Sequence, residues 1–197
     1  MGKTKRKNQA LATRLRIRDT ALRLMKKYSI DEISVNEICE QAEVGVGTFY
    51  YYYKTKDNII LEAFQEMDIF FTELSVSKAA GTMSAYQYVL AHCRCYADFI
   101  METGVEFTSK VYSMQSKTFL DSNRPFYVTL KRFLEQRQQL GLINSGLDIL
   151  NFCQEITICI RGMGYDWCLR KGNYNFADGI TAFMETFLVK YRPFLGH

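Results

Sequence analysis

The sequence predicts an all-α fold, with a small three-helix unit at the N-terminus and a larger helical body behind it. Three observations lead there. Apolar residues recur at helical spacing along most of the chain. The only two prolines, Pro125 and Pro193, fall at a predicted helix start and at the end of the last predicted helix, where a missing N–H does least harm. No alternating strand pattern and no internal repeat competes.

The elements follow in order. Residues 1–9 are basic and read as a tail. A first helix covers about 10–28, with Ile17, Ala21, Leu24 and Tyr28 on one stripe. Ser34 and Glu37 form an S-x-x-E capping box that opens a second helix, flanked by Ile33 and Ile38 at staple positions. Glu43-Val44-Gly45 breaks it, and a short third helix covers about 46–52. Thr55 caps a fourth helix that starts near Lys56 and carries Ile59, Ala63, Phe64, Met67, Phe70, Phe71 and Leu74. Residues 75–83 are small and polar and read as a loop. Helices are then expected over 84–103 (Ser84 and Gln87 as a capping box), 105–117, 125–140, 148–171 and 175–193.

Two short helices joined by a tight turn form a helix-turn-helix, whose second helix enters a DNA major groove. The charge distribution agrees. Residues 1–60 hold 12 Lys/Arg against 7 Asp/Glu, while the remainder holds 13 against 14. A basic end on a near-neutral body points to a polyanionic partner. Within the run Tyr50-Tyr51-Tyr52-Tyr53, successive residues point about 100° apart, so one core cannot bury them all. Phe49 and Tyr53 share a face and are assigned to the core. Tyr50 and Tyr51 then point outward, where a phenol suits a phosphate oxygen or a thymine methyl. Lys56 places a cation at a helix start that already favours anions, so a phosphate partner is expected for it, and Lys54 is a weaker phosphate candidate.

The run Gly47 to Lys56, G-T-F-Y-Y-Y-Y-K-T-K, resembles the helix-turn-helix signature of the tetracycline-repressor (TetR) family of bacterial transcription regulators. Ser34-Val35-Asn36-Glu37-Ile38 resembles the helix before it. Three positions depart from the family pattern: Glu43 stands where Gly is usual, Gly45 where Ser or Thr is usual, and Tyr53 where Phe is usual. The resemblance covers about residues 10–64. It implies a DNA-binding domain over 1–55 and an effector-binding and dimerisation domain over 56–197. It implies DNA contacts by Ser34, Val35 and Asn36, and by Val46, Gly47, Thr48, Tyr50 and Tyr51. It also implies a homodimer on double-stranded operator DNA, closed by a four-helix bundle of the last two long helices, and an effector pocket in the larger domain.

For that pocket the aromatic and sulfur-rich set Met67, Phe71, Tyr88, His92, Tyr96, Phe99, Tyr112, Phe126 and Phe133 is the expected lining, with one ligand per subunit. His92 is either a polar anchor or a satisfied core histidine. Glu155 is the acid a cationic ligand would use. The helix over 148–171 is apolar most of the way round and must be covered on several sides. Phe152, Ile156, Met163 and Trp167 on it, with Phe183 and Phe187 on the last helix, are the expected dimer interface.

Enzyme chemistry finds no support: no nucleophile–base order, no metal-ligand spacing and no phosphate-binding glycine loop. No cofactor or metal is expected. The six cysteines, Cys39, Cys93, Cys95, Cys153, Cys159 and Cys168, form no C-x-x-C and read as small hydrophobes in a reducing cytoplasm. There is no secretory signal and no apolar run long enough for a membrane. The expected function is a transcription regulator, a repressor released by a small apolar or aromatic ligand. The rival keeps DNA binding but replaces the ligand with a partner protein or a constitutive role.

Overall fold

The computed structural model describes residues 2–114 and 121–195, and no strand occurs among them. The chain forms two compact units, Met1–Phe64 with Glu106–Met114, and Gln65–Val105 with Gln115–His197. The sequence divides the chain at 55/56. The compact units divide nine residues later, because the first two turns of the fourth helix give Ile59, Ile60 and Ala63 to the first core.

In the first unit, helix α1 spans Gly2–Met25. It starts well before the expected residue 10, since a run of Lys, Arg, Gln and Ala has good helix propensity whatever its charge. Ile17, Ala21 and Leu24 are buried as the stripe requires, but Tyr28 is 51% exposed. The helix has already ended, and the amides of Lys27 and Tyr28 both turn back onto the Leu24 carbonyl. Helix α2 (Val35–Gln41) opens with the full capping box: the Ser34 hydroxyl accepts the Glu37 N–H, and the Glu37 carboxylate accepts the Ser34 N–H. Ile33 and Ile38 are both buried beside it. The turn places Glu43 at φ +52°, a left-handed conformation that costs a side chain and favours glycine. Helix α3 (Val46–Tyr52) starts at Gly45, which supplies no side-chain cap. Helix α4 (Lys56–Val76) begins after Thr55, whose N–H and hydroxyl both donate to the Asn58 side-chain oxygen.

The second unit begins within α4. Helix α5 (Lys78–Thr82) lies inside the segment expected to be a loop. Ser77 caps its start, and Arg137 donates to the carbonyls of Ala80, Gly81 and Met83, so both ends of this single turn have partners. Helix α6 (Ala85–Thr103) carries the expected Ser84–Gln87 capping box. Helix α7 (Val105–Ser113) folds with the first unit, where Lys110 pairs with Asp31 at 2.9 Å and holds that carboxyl below its ordinary range. Its expected extension to 117 lies outside the described residues.

Helix α8 (Pro125–Gln139) has proline in its first turn, and helix α9 (Ile149–Leu169) is capped by Asp148. Lys171 and Gly172 follow α9 in left-handed conformations, and the Gly172 N–H returns to the Trp167 carbonyl. Helix α10 (Phe176–Phe187) is capped by the Asn175 side chain. The expected single last helix is in fact broken: a 3-10 turn covers Leu188–Tyr191, and a final turn α11 (Arg192–Leu195) follows. Pro193 opens that last turn instead of closing the preceding helix.

Candidate nucleic-acid interface and ligand cavity

The helix-turn-helix presents one outward face. Phe49 and Tyr53 are buried, as their shared face requires, and their rings lie 6.0 Å apart. Burial pushes the Tyr53 phenol up to about 12, and its hydroxyl donates to the Arg14 carbonyl. That anchors α3 against α1 and directs Tyr50 and Tyr51 outward, with Tyr52 half-buried. Tyr50 is 54% exposed and Tyr51 80%. Val46, Gly47, Ser34, Asn36 and Lys54 are exposed with them, and Val35 and Thr48 are half-buried. A Cβ built at Gly47 meets nothing within 4 Å, so the backbone there faces open space that another molecule can approach.

Lys56 does not belong to that face in the way expected. Its ammonium donates to the carbonyls of Ile30 and Ile33, at 2.6 and 2.5 Å. Those carbonyls sit in the turn before α2, where no helical N–H reaches them. A cation at a helix start is therefore explained by two orphan acceptors, without a phosphate.

The second unit gathers the expected aromatic residues from three helices. Met67 and Phe71 on α4, Tyr88, His92, Tyr96 and Phe99 on α6, and Phe126 on α8 are all buried. The Phe71 ring lies 4.5 Å from His92 and 5.0 Å from Phe126, and Tyr88 stacks on Phe133 at 3.7 Å and 4°. Two expected members do not join them. Tyr112 folds with the first unit. Glu155 accepts from Lys190 at 2.8 Å, the Tyr191 hydroxyl at 2.6 Å and the Asn151 amide, a partly exposed cluster that holds its carboxyl below the ordinary range. Its charge is used at the surface.

A cavity of about 700 Å³ opens between α8, α9 and residues 121–124. Phe126, Tyr127, Val128, Leu150 and Ile158 supply its apolar wall, and Lys131, Arg132, Glu135, Gln154 and Arg161 its polar one. Arg124 at its rim pairs with Asp68 at 2.9 Å, both nearly buried. Of the residues expected to line a pocket, only Phe126 reaches this space. The polar wall was missed because its residues are scattered over two helices; the available signal was the basic spacing of Arg124 just before α8 with Lys131 and Arg132 on it.

On α9 the expected interface residues Phe152, Ile156 and Trp167 are buried within the chain itself. Phe152 packs on Tyr191, and the Trp167 indole donates to the Tyr174 carbonyl. Met163 is half-buried. The outward apolar positions are Leu150, Ile158, Tyr165 and Leu169, joined on α10 by Phe183, with Phe187 half-buried. The six cysteines are all free thiols. Among the described residues no helix is long and apolar enough to cross a membrane, and no cluster of His, Cys, Asp or Glu could hold a metal.

Residues 17–63 match the family described as bacterial regulatory proteins, tetR family. Several solved structures share the fold. A transcriptional regulator FadR from Bacillus subtilis, in complex with stearoyl-CoA, superposes with a TM-score of 0.65 at 19% identity over 89% of this chain and 97% of that one. FadR from Thermus thermophilus, a TetR-family repressor in complex with lauroyl-CoA, gives 0.66 at 15% identity over 89% and 93%. A putative transcriptional regulator from Saccharomonospora viridis in complex with choline gives 0.67 at 16% identity over 89% and 94%. No curated protein sequence matches the chain.

Proposed function

We propose, from the premise that the chain is a tetR-family transcription regulator, that it represses by binding operator DNA as a homodimer and is released by a small, largely apolar or aromatic ligand held in its second unit. The face built from Val46, Gly47, Thr48, Tyr50 and Tyr51, with Ser34, Val35 and Asn36 beside it, is the DNA-contacting surface. Tyr50 and Tyr51 serve phosphate or thymine-methyl contacts, and Lys54 a phosphate. The exposed strip of α9 with Phe183 and Phe187 of α10 is the surface for the second copy. A two-fold dimer needs its recognition helices about 34–36 Å apart or a multiple of it. A ligand that prefers another spacing moves the population off DNA.

One observation carries the effector reading: a cavity of about 700 Å³ shares Phe126 with a buried aromatic cluster drawn from α4, α6 and α8, and its volume lies inside the roughly 300–1,000 Å³ range of small-molecule sites. The stearoyl-CoA, lauroyl-CoA and choline complexes of similar folds support a ligand there. The rival, control by a partner protein or none, draws support from the same cluster: its rings are already in contact and need rearrangement to admit a guest. A titration separates the two. Fluorescently labelled operator is bound to the protein and challenged with a library of apolar and aromatic compounds. Release by at least one compound that also raises the melting midpoint supports the effector reading. No release and no thermal shift across the library supports the rival.

A further inference from the structure

Three buried polar atoms of the second unit lack a hydrogen-bond partner among the described residues: the Tyr88 hydroxyl oxygen and both ring nitrogens of His92. The two residues stand one turn apart on α6, and neither side chain has measurable exposure. The His92 ring is walled by Phe71 at 4.5 Å, Phe126 at 5.2 Å and Tyr88 at 6.4 Å. The Phe126 backbone acts on His92, and the Thr129 hydroxyl on Tyr88, as loose hydrogen-bonding neighbours that miss bonding geometry, and Thr129 donates its proton to the Pro125 carbonyl at 2.7 Å. An unpartnered buried polar group destabilises the fold, whereas an apolar residue of the same shape would not. The pair is a net cost to stability, and it sits where a guest could use it.

The chemistry of that guest follows from charge. Burial pushes the imidazole down to about 3 and the phenol up to about 12, so both are neutral across the ordinary pH range. A neutral imidazole offers one N–H donor and one acceptor nitrogen, and a phenol offers both roles on one oxygen. A carboxylate or an ammonium placed there would be a buried charge without a counter-charge. A hydroxyl fits: it donates to the bare nitrogen and accepts from the N–H or the phenol. Phe126 lies against His92 on one side and lines the cavity on the other, so a guest's apolar body can occupy the cavity while its polar end passes that one ring.

We propose that Tyr88 and His92 are the polar anchor of the effector site, and that the effector presents to them an uncharged hydroxyl, phenolic or alcoholic, on an apolar body. This rests on the effector reading above and narrows it against acids and quaternary amines. The test uses four probes of one shape: 4-butylphenol, 4-butylbenzoate, 4-butyl-N,N,N-trimethylanilinium and butylbenzene. Binding is measured by calorimetry and melting midpoint on the wild type, Tyr88→Phe and His92→Phe, with release of labelled operator DNA in parallel. The expected result is 4-butylphenol at least tenfold tighter than the other three, and a loss of tenfold or more in each variant while its melting midpoint stays level or rises. Should His92→Phe fail to fold, Tyr88→Phe alone carries the comparison. Preference for a charged probe with DNA release would leave the effector reading standing and overturn the anchor. So would variants that bind the phenol like the wild type, or that melt lower because the pair is structural. No binding and no release by any probe would overturn both.

Discussion

Replacing Lys56 by methionine keeps the aliphatic stem and removes the ammonium. Two hydrogen bonds then disappear, to the carbonyls of Ile30 and Ile33. A hydrogen bond to a charged group contributes about 1.5–3 kcal/mol. Both bonds are only part-buried, so water replaces some of what is lost, and relief of the cation at the α4 start returns about 0.3–1 kcal/mol. The net expectation is a loss of about 2–3 kcal/mol, or roughly 5–10 °C in melting midpoint for a chain of this size. DNA binding responds differently. A phosphate-contacting lysine contributes about one unit to the slope of log affinity against log salt, and Lys56 is expected to contribute none. Urea denaturation followed by circular dichroism reads the first quantity, and anisotropy of labelled DNA over a salt series reads the second. A slope smaller by one unit with an unchanged melting midpoint would refute the carbonyl account and restore the phosphate one.

Three further outcomes follow from single features. Glu43 holds φ +52°, a conformation that costs a side chain about 1–2 kcal/mol; Glu43→Gly removes that cost against about 0.5–1 kcal/mol of added chain entropy, so urea midpoints should rise by the equivalent of about 0.5–1 kcal/mol, and a fall would mean the carboxylate makes a contact of its own. Tyr50→Phe and Tyr51→Phe should each cost roughly 0.5–3 kcal/mol of DNA affinity if the hydroxyls serve phosphate, with little change in melting; a melting loss at intact affinity would make that tyrosine structural. His92 is held at about 3 in the folded chain against 6.5 for the free group, so the unfolded chain takes up a proton that the folded one refuses. Stability is full above about pH 6.5 and falls as the pH drops toward 3, by about 2 kcal/mol at pH 5. Urea midpoints at pH 7 and pH 5 should converge in His92→Phe, and an equal pH effect in the variant would show that another group is responsible.

The first unit was readable because its signals are local. A capping box spans four residues, and the burial of Phe49 and Tyr53 with Tyr50 and Tyr51 outside follows from the angle between successive helical residues. Lys56 was misread because its partners, Ile30 and Ile33, lie more than twenty residues back and are backbone atoms that no pattern of side chains reveals. On α6 the buried stripe of Tyr88, His92, Tyr96 and Phe99 was legible from spacing. Where Glu155 points was not, since that depends on Lys190 and Tyr191 coming back past α9. The same holds for Phe152, Ile156 and Trp167. An all-round apolar helix shows that several faces are covered, but only the fold decides which face the chain covers itself.

If the α2–α3 face of a two-fold dimer reads DNA, the purified protein should select sequences from a random duplex library, and anisotropy at two salt concentrations measures how tightly it holds the winners. The expected winner is an inverted repeat whose half-site centres lie about 10–10.5 base pairs apart or a multiple of it, bound less tightly as salt rises, and lost on replacing Tyr50 and Tyr51 together by alanine. Enrichment of no sequence, or of a site bound equally well by that double variant, would contradict a DNA-reading role for that face.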